Sequence, residues 1–496
     1  MLGDEGTVIA WSRLASATLW QVLVLAVVQA LASTVLALAI GLPMANVVSR
    51  YRFPGRALAQ ALATVPFVLP TVVVALAFRM LFGSGLPQGF LLVVLAHAYV
   101  NLAVVVRIVG AQWAQHEPDL EHVARTLGAS RWRAFVDITL PSLRPAIASS
   151  AAVVFVFSFT SLGIALLLGD GSTRTLEMQV LRQTSVLLDF PGAAVAALLQ
   201  LALVTAVLLG GAYAGRRSPE RALRPPRLLP LPASTSGRIG VVGTAIAIAV
   251  IVLAPVAALV TASVRAAGGW TLQWWQGLGS VDAGTTRIGS PLSAMATSLT
   301  FAMLTALIAA VIGGLAAVAV LAPGRTRLVS ILAIVPLGVS AATLGLGLLL
   351  AFGRPPVDLR ATGLLVPLAH SLVAVPLVVA VVAPALRSND ARRMAVASTL
   401  GASPTRAFVT AYGSVLRTVM LASAALAGAV SLGEFGAASF LARAGSPTVP
   451  VQIVRLLGRP GEQSLGVAAA LAVVLVVLTL ALVLLVDRLG PSRRTA

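Results

Sequence analysis

The sequence predicts an all-α polytopic membrane protein, with about eleven transmembrane helices arranged as two parallel pseudo-repeats. Three observations carry this expectation. The 496 residues are 58% hydrophobic and 10% charged, with a mean hydropathy of +0.97, more apolar surface than a soluble fold of this length can hide. Apolar runs close to 20 residues recur along the chain, the length a helix needs to cross a bilayer. Finally, T-L-G-A-S-R-W-R-A-F-V at Thr126–Val136 returns as T-L-G-A-S-P-T-R-A-F-V at Thr399–Val409, identical at nine of eleven positions and offset by 399 − 126 = 273 residues.

In order, Leu19–Leu42 is the first apolar span, and Arg50, Arg52 and Arg56 follow it. Ala57–Phe82 is the second, with Pro66 and Pro70 inside; Phe90–Ala111 is the third and leads into a polar loop over 112–145. Ala146–Leu168 and Gly192–Gly215 are the fourth and fifth, separated by a polar stretch. The Pro- and Arg-rich segment 216–238 reads as a cytoplasmic linker between a first half (1–215) and a second half (239–496). Ile239–Ser263 is the sixth span, and Trp270, Trp274 and Trp275 after it form an expected interfacial aromatic anchor. Leu292–Ala322, Leu328–Phe352, Gly363–Leu386, Thr418–Ala442 and Leu465–Val486 complete the set, with the second polar loop over 387–417. Arg placement puts both repeated loops, the linker and the C-terminus in the cytosol and the N-terminus outside. That leaves the first half one helix short of the second, which raises the expectation of a truncated start, and no cleavable signal peptide is expected over 1–16.

The repeat extends beyond its core. At the same offset His97 matches His370, Ser158 matches Ser431, and Thr175, Gln179 and Arg182 match Thr448, Gln452 and Arg455. Matching loops fall on one side of the membrane, so the halves are parallel. Two like cytosolic elements call for two like cytosolic partners.

Composition also excludes functions. All 35 basic residues are Arg, so the chain lacks the Lys that a phosphate-binding P-loop requires; any driving nucleotide is bound by another polypeptide. No Cys is present, which removes disulfides, thiolate metal sites and Cys nucleophiles. The net charge of +19 belongs to cytosolic loops and orients helices; no basic face with interleaved aromatics points to nucleic acid.

The first loop contains Asp119–Leu127, compatible with a short helix, stopped by Gly128 and followed by the small residues Ala129 and Ser130, then Arg133. Such a helix, lying at the membrane surface and turned back toward the next span, can transmit a rigid-body push. Gly128 is followed at fixed spacing by Ile138-Thr139-Leu140-Pro141, with A-R-T-L-G just upstream. This pattern resembles the EAA loop of permease subunits of bacterial ABC importers. The fused, double-length chain, with A-H-A-Y-V-N at Ala96–Asn101, S-L-G-E-F-G at Ser431–Gly436 and T-V-P-V-Q at Thr448–Gln452, is similar to the subgroup importing ferric iron or thiamine.

The resemblance implies a type I ABC importer-like fold in the cytoplasmic (inner) membrane of a bacterium. Two copies of a cytoplasmic ABC ATPase would carry ATP-Mg, and an extracytoplasmic solute-binding protein would deliver cargo near 169–182 and 443–455. This chain itself would bind no cofactor or metal and perform no covalent chemistry. The implied ATPase contacts are Glu121, His122, Ala124, Leu127, Gly128 and Ala129, continuing through Ser130, Arg133, Ile138, Leu140 and Pro141. In the second copy they are Ala397, Leu400, Gly401, Ala402, Ser403 and Arg406. There the acidic residue is lost and Ala411, Gly413 and Ser414 replace the I-x-L-P residues, so unequal docking sites are expected. Cargo is iron or thiamine on this resemblance, with polyamines and phosphonates as further options.

Within the spans, Glu434 is the candidate pathway carboxylate, with a structural hydrogen bond as its other reading; its first-half counterpart is Ser161. Ser158, Ser431, His97 and His370 complete the pathway candidates, and the two His read as interhelical hydrogen-bonding groups more readily than as metal ligands. Arg79 and Arg107 are expected to snorkel. An ion-coupled secondary transporter is the alternative function; it calls for paired intramembrane carboxylates, and Glu434 stands alone.

Overall fold

The computed structural model describes residues 16–83, 85–115, 118–215, 228–279, 290–319, 339–354, 357–359, 362–387 and 392–489. Among these, nine helices are long and apolar enough to cross a membrane, or ten with one sharply bent pair taken as a single span. The fold class is therefore that of a multi-pass helical membrane protein. Of the eleven expected spans, the eighth falls partly outside the described residues; only Ala341–Phe352 is seen of it.

The helices are α1 Ala17–Arg50, α2 Arg56–Val68, α3 Thr71–Phe82, α4 Phe90–Ala114 and α5 Pro118–Thr126. A short α6 (Arg131–Ala134) runs through one π-turn, Phe135–Thr139, into α7 (Leu140–Phe159). Then come α8 Leu162–Leu168, α9 Leu176–Ser185, α10 Phe190–Gly215 and α11 Thr235–Ser263. A two-residue hairpin, β1 Arg265–Ala266 with β2 Gly269–Trp270, precedes α12 Gln273–Gln276 and α13 Pro291–Ala319. After α14 (Ala341–Phe352), β3 Gly353–Arg354 pairs antiparallel with β4 Val357–Asp358. The chain continues with α15 Leu365–Arg387, α16 Arg392–Thr399, α17 Pro404–Gly433, α18 Gly436–Leu441, α19 Val449–Leu457 and α20 Glu462–Leu489.

Three expected spans are not single helices. Ala57–Phe82 is α2 and α3, bent by 106° at Leu69–Pro70. Pro70 offers no N–H and disfavours helical backbone in the residue before it, and Leu69 accordingly is extended at ψ 134°. The fourth span breaks at Thr160–Ser161, between α7 and α8. The span Thr418–Ala442 breaks at Glu434–Phe435, between α17 and α18. The polar stretch after α8 contains a helix of its own, α9, whose N-cap Thr175 accepts from Met178 N–H at 3.4 Å.

The contacts divide the chain into two compact units, Met1–Leu69 with Val74–Leu259, and Pro70–Val73 with Val260–Ala496. This division does not fall at the linker. Most of α11, the first span after it, packs in the first unit, where Ile248 and Val252 join a core with Met44, Val48, Leu102 and Val106, and Tyr99 donates to the Val252 carbonyl at 3.1 Å.

Inside each unit the same helices meet in the same way. In the first, α1 packs on α4, and both pack on α7, which is backed by α10. In the second, α13 packs on α15, and both pack on α17, which is backed by α20. Lipid is as apolar as leucine, so such contacts rest on close fit more than on the exclusion of water. One glycine in each unit provides that fit: a Cβ on Gly41 would lie 2.8 Å from Val105, and one on Gly313 would lie 2.7 Å from Val378. The two contacts sit at matching places in the repeat, with 313 − 41 = 272 and 378 − 105 = 273.

The tryptophans after α11 depart from expectation. Trp270 is exposed at the hairpin, but Trp274 is buried, donates from Nε1 to the Arg265 carbonyl at 3.0 Å, and lies where a Cβ on Gly466 would be. It is a core residue holding α12 on α20, not a surface anchor.

Candidate functional site

The repeated loops fold alike. Helix α5 ends in a left-handed Gly128 (φ +94°), and α16 ends in a left-handed Gly401 (φ +82°). In the first, Gly128 N–H donates to the Arg125 carbonyl at 3.1 Å and Ala129 N–H to the Ala124 carbonyl at 3.0 Å. In the second, Gly401 N–H donates to Ser398 and Ala402 N–H to Ala397, both at 3.0 Å. This is the Schellman arrangement, in which crossed bonds satisfy the last carbonyls and reverse the chain. No atom lies within 4 Å of a Cβ built on either glycine, so backbone conformation, and not crowding, requires glycine there. Ser130 then caps α6, its Oγ accepting from Arg133 N–H at 3.2 Å, while Ser403 stands at the N-cap of α17.

What the bend presents is apolar. Leu127 and Leu400, each before its glycine, are both 83% exposed, and Val123 and Val396 one turn earlier are exposed too. No residue of α16 is buried. His122 and Arg406 are exposed, and Arg133 makes only a loose surface pair with Asp137 at 3.7 Å. Ile138, Leu140 and Pro141 are half-buried in the π-turn and the start of α7. The π-turn begins at Phe135, which stacks on Trp113 and Trp132.

Glu121 behaves differently from the rest of its loop. It turns inward, its Oε2 2.8 Å from Arg50 Nη2 and its Oε1 3.3 Å from Arg50 Nη1, while the Thr139 hydroxyl donates to Oε1. Sequence reasoning placed Glu121 on the docking face and gave Arg50 no role beyond topology. Thr139 was only the free position of I-x-L-P. Glu121 is one of four acidic residues in its loop, with Glu117, Asp119 and Asp137, so the spacing alone did not single it out for Arg50.

The pathway candidates assemble in two buried clusters, one per unit. His97 Nδ1 is 2.9 Å from Gln29 Nε2, and Asn101 Nδ2 donates to the His97 carbonyl at 2.9 Å and to Ser158 Oγ at 3.2 Å. In the second unit His370 Nδ1 is 2.8 Å from Ser431 Oγ, which donates to Thr305 Oγ1 at 3.2 Å; Thr305 in turn donates to the Pro367 carbonyl at 3.4 Å. The direction of that chain puts the proton of His370 on Nδ1. Gln29 was legible in the sequence as the amide deep inside the first apolar run, Gln21 lying near its start, a position where polar groups find partners.

Glu434 is not mid-helix. It sits in the break after α17, extended at φ −75° and ψ 118°, and its Oε1 accepts from the Ala437 N–H at 3.3 Å, over the first turn of α18. Ser161, its counterpart, is the N-cap of α8, whereas Glu434 stands one residue before Phe435, the N-cap of α18. Arg79 lies half-buried in the last turn of α3, and Arg107 is exposed on α4. Among the described residues no group of three His, Asp or Glu side chains is placed to hold a metal ion.

Asp170 closes the turn after α8. Its Oδ1 accepts from Thr173 Oγ1 at 2.7 Å, Ser172 Oγ at 2.8 Å, Thr173 N–H at 2.8 Å and Ser172 N–H at 3.1 Å. The hydroxyls of Thr173 and Ser172 and the two amides hold this carboxyl down at about 2.

Comparison with known proteins agrees with this geometry. Residues 37–218, which include α5 and its glycine bend, match the family described as the binding-protein-dependent transport system inner membrane component. A molybdate/tungstate transport system permease protein of Thermococcus kodakarensis is 36% identical over 138 residues, covering 28% of this chain and 56% of that protein. A sulfate transport system permease protein of Escherichia coli is 32% identical over 182 residues, covering 34% of this chain and 66% of that protein. The chain thus spans less than two thirds of either relative. A thiamine transport system permease protein of Brucella abortus is 28% identical over 506 aligned positions, covering 96% of this chain and 89% of that protein. Residues 37–218 are thus similar to the inner membrane components of binding-protein-dependent transport systems.

Proposed function

We propose that the chain is the fused permease subunit of an ATP-driven ABC importer, whose two halves form one pathway for a small solute handed over by an extracytoplasmic binding protein. The observation that carries this reading is the pair of glycine-stopped helices, each presenting an exposed leucine, Leu127 and Leu400, at the same place. Two identical apolar knobs at a membrane surface suit two copies of one cytosolic partner, and ATP-Mg would be bound and hydrolysed there, since this chain lacks a P-loop lysine. ATP-driven approach of the two partners would draw the bent helices together and open the outer side. The chain's part is a pore's, not an enzyme's.

For cargo, we favour thiamine, with ferric iron as the second choice from the resemblance in sequence. The thiamine permease relative is similar along 96% of this chain, whereas the oxyanion permease relatives are similar over 28% and 34% of it. Uptake of labelled thiamine, ferric iron, sulfate and molybdate, in cells with and without the gene and with ATP depleted, tests the reading. Loss of energy-dependent thiamine uptake supports it; loss of another cargo's uptake reassigns the substrate. Uptake that survives ATP depletion on an intact ion gradient overturns the importer reading in favour of an ion-coupled carrier.

A further inference from the structure

Arg50 holds two segments at once. Its carbonyl accepts from the Leu229 N–H at 2.7 Å, and the Arg52 N–H donates to the Leu229 carbonyl at 2.8 Å, so the end of the linker is bonded to the end of α1 as a short parallel bridge. Its guanidinium grips Glu121 of α5 through both nitrogens, with side chains only 14% and 16% exposed. Glu121 also accepts from Thr139, at the entrance to α7. Three segments distant in sequence therefore converge on two side chains. A cleft of about 940 Å³, lined by Asn46, Glu121, Arg125, Leu229 and Pro232, lies between the described part of the linker and α5, with Arg50 on its wall.

The second loop carries other residues at both matching positions. At the repeat offset of 273, Glu121 corresponds to Met394, which is 41% exposed, and Thr139 corresponds to Tyr412. Helix α16 rests on α17 and buries none of its residues.

We propose that Arg50 and the linker at Leu229 are positioning elements that lock the first coupling helix to α1. The linker is then part of the transmission and not only a tether. This rests on the importer reading above. A bidentate arginine–carboxylate pair fixes orientation as well as distance, and its partial burial limits screening by salt. A coupling helix so held converts partner motion into motion of α1.

The test uses the full chain with its ATPase and binding protein in proteoliposomes, reading solute imported per ATP hydrolysed. Glu121→Gln, Arg50→Gln and Leu229→Pro, the last removing the N–H that bonds the Arg50 carbonyl, are each expected to lower that ratio about five- to tenfold, the scale of one net hydrogen bond. Leu229→Val keeps the bond and the ratio. The reversed pair Arg50→Glu with Glu121→Arg recovers most of it, and Glu121→Gln with Leu229→Pro is no worse than the worse single change. Amide exchange rises in α5 and not in α16. If Leu229→Pro does not accumulate, Arg52→Pro breaks the same bridge from the other strand, since Tyr51 before it is already extended. Unchanged ratios, additive losses, or a reversed pair that stays uncoupled at normal abundance overturn the proposal. Absence of ATP-dependent uptake by the unaltered chain would instead remove the importer reading itself.

Discussion

His370 Nδ1 lies 2.8 Å from Ser431 Oγ, fastening α15 to α17 in the middle of the second unit, and Ser431 passes the bond on to Thr305 of α13. Three helices are thereby held at one buried point. In the first unit His97 occupies the matching position, but Gln29 of α1 is its partner, and Ser158 is reached through Asn101. The residue types at the partner positions changed between the halves while the cross-helix fastening stayed. Interhelical hydrogen bonds in membranes are worth about 0.6–1.7 kcal/mol each. Ser431→Ala, which breaks two, is expected to cost about 1–3 kcal/mol on that scale, read as a lower melting temperature in detergent. Ser158→Ala, which removes one, is expected to cost about half as much.

The glycine bends are testable by conformation alone. Because a methyl on Gly128 or Gly401 meets nothing, Gly128→Ala and Gly401→Ala probe only the left-handed backbone, at about 1–2 kcal/mol each. Each is expected to reduce uptake while leaving membrane insertion intact, with quantitative blotting of the membrane fraction as the check.

Exposed leucines on a cytosolic bend should carry partner affinity. Leu127→Asp and Leu400→Asp are expected to weaken co-purification of the ATPase about tenfold or more each, from loss of a buried leucine's roughly 1.5–3 kcal/mol. The melting temperature of the isolated chain should not move, because both side chains are 83% exposed in it. Normal co-purification of the doubly substituted chain would show that docking lies elsewhere.

Glu434 separates two roles cleanly. If its task is to cap α18, Glu434→Gln keeps an oxygen for the Ala437 N–H and retains near-normal uptake, whereas Glu434→Ala loses the cap at a cost of about 1 kcal/mol. If cargo needs its charge, both changes abolish uptake alike. Initial uptake rates over a range of cargo concentrations decide between them.

The turn at Asp170 should respond to acid in a defined window. Its carboxyl is depressed from 3.8 to about 2, so its contribution to the turn is complete above about pH 4 and is lost as pH falls through about 2. Amide exchange at Ser172 and Thr173 is expected to be slow and constant above pH 4, after correction for intrinsic rates, and to accelerate below it. Asp170→Ala should exchange fast at every pH.

The sequence by itself determined the membrane class, most of the spans, the duplication and the place of both glycine-stopped loops. These follow from features that act locally: apolar length sets spans, Arg placement sets sidedness, and a glycine after a short helix sets a bend. Gly128 and Gly401 were legible because their backbone requirement is independent of the rest of the fold. Tertiary structure decided what depends on distant neighbours. It paired Glu121 with Arg50, gave His97 and His370 different partners, moved Trp274 from the surface into the core, and packed most of α11 in the first unit although it follows the linker. A hydrogen bond or an ion pair needs a partner at about 3 Å, and in this chain those partners stand 61 to 71 residues away. Periodicity and spacing carry no information over that separation; only the folded helices bring the groups together.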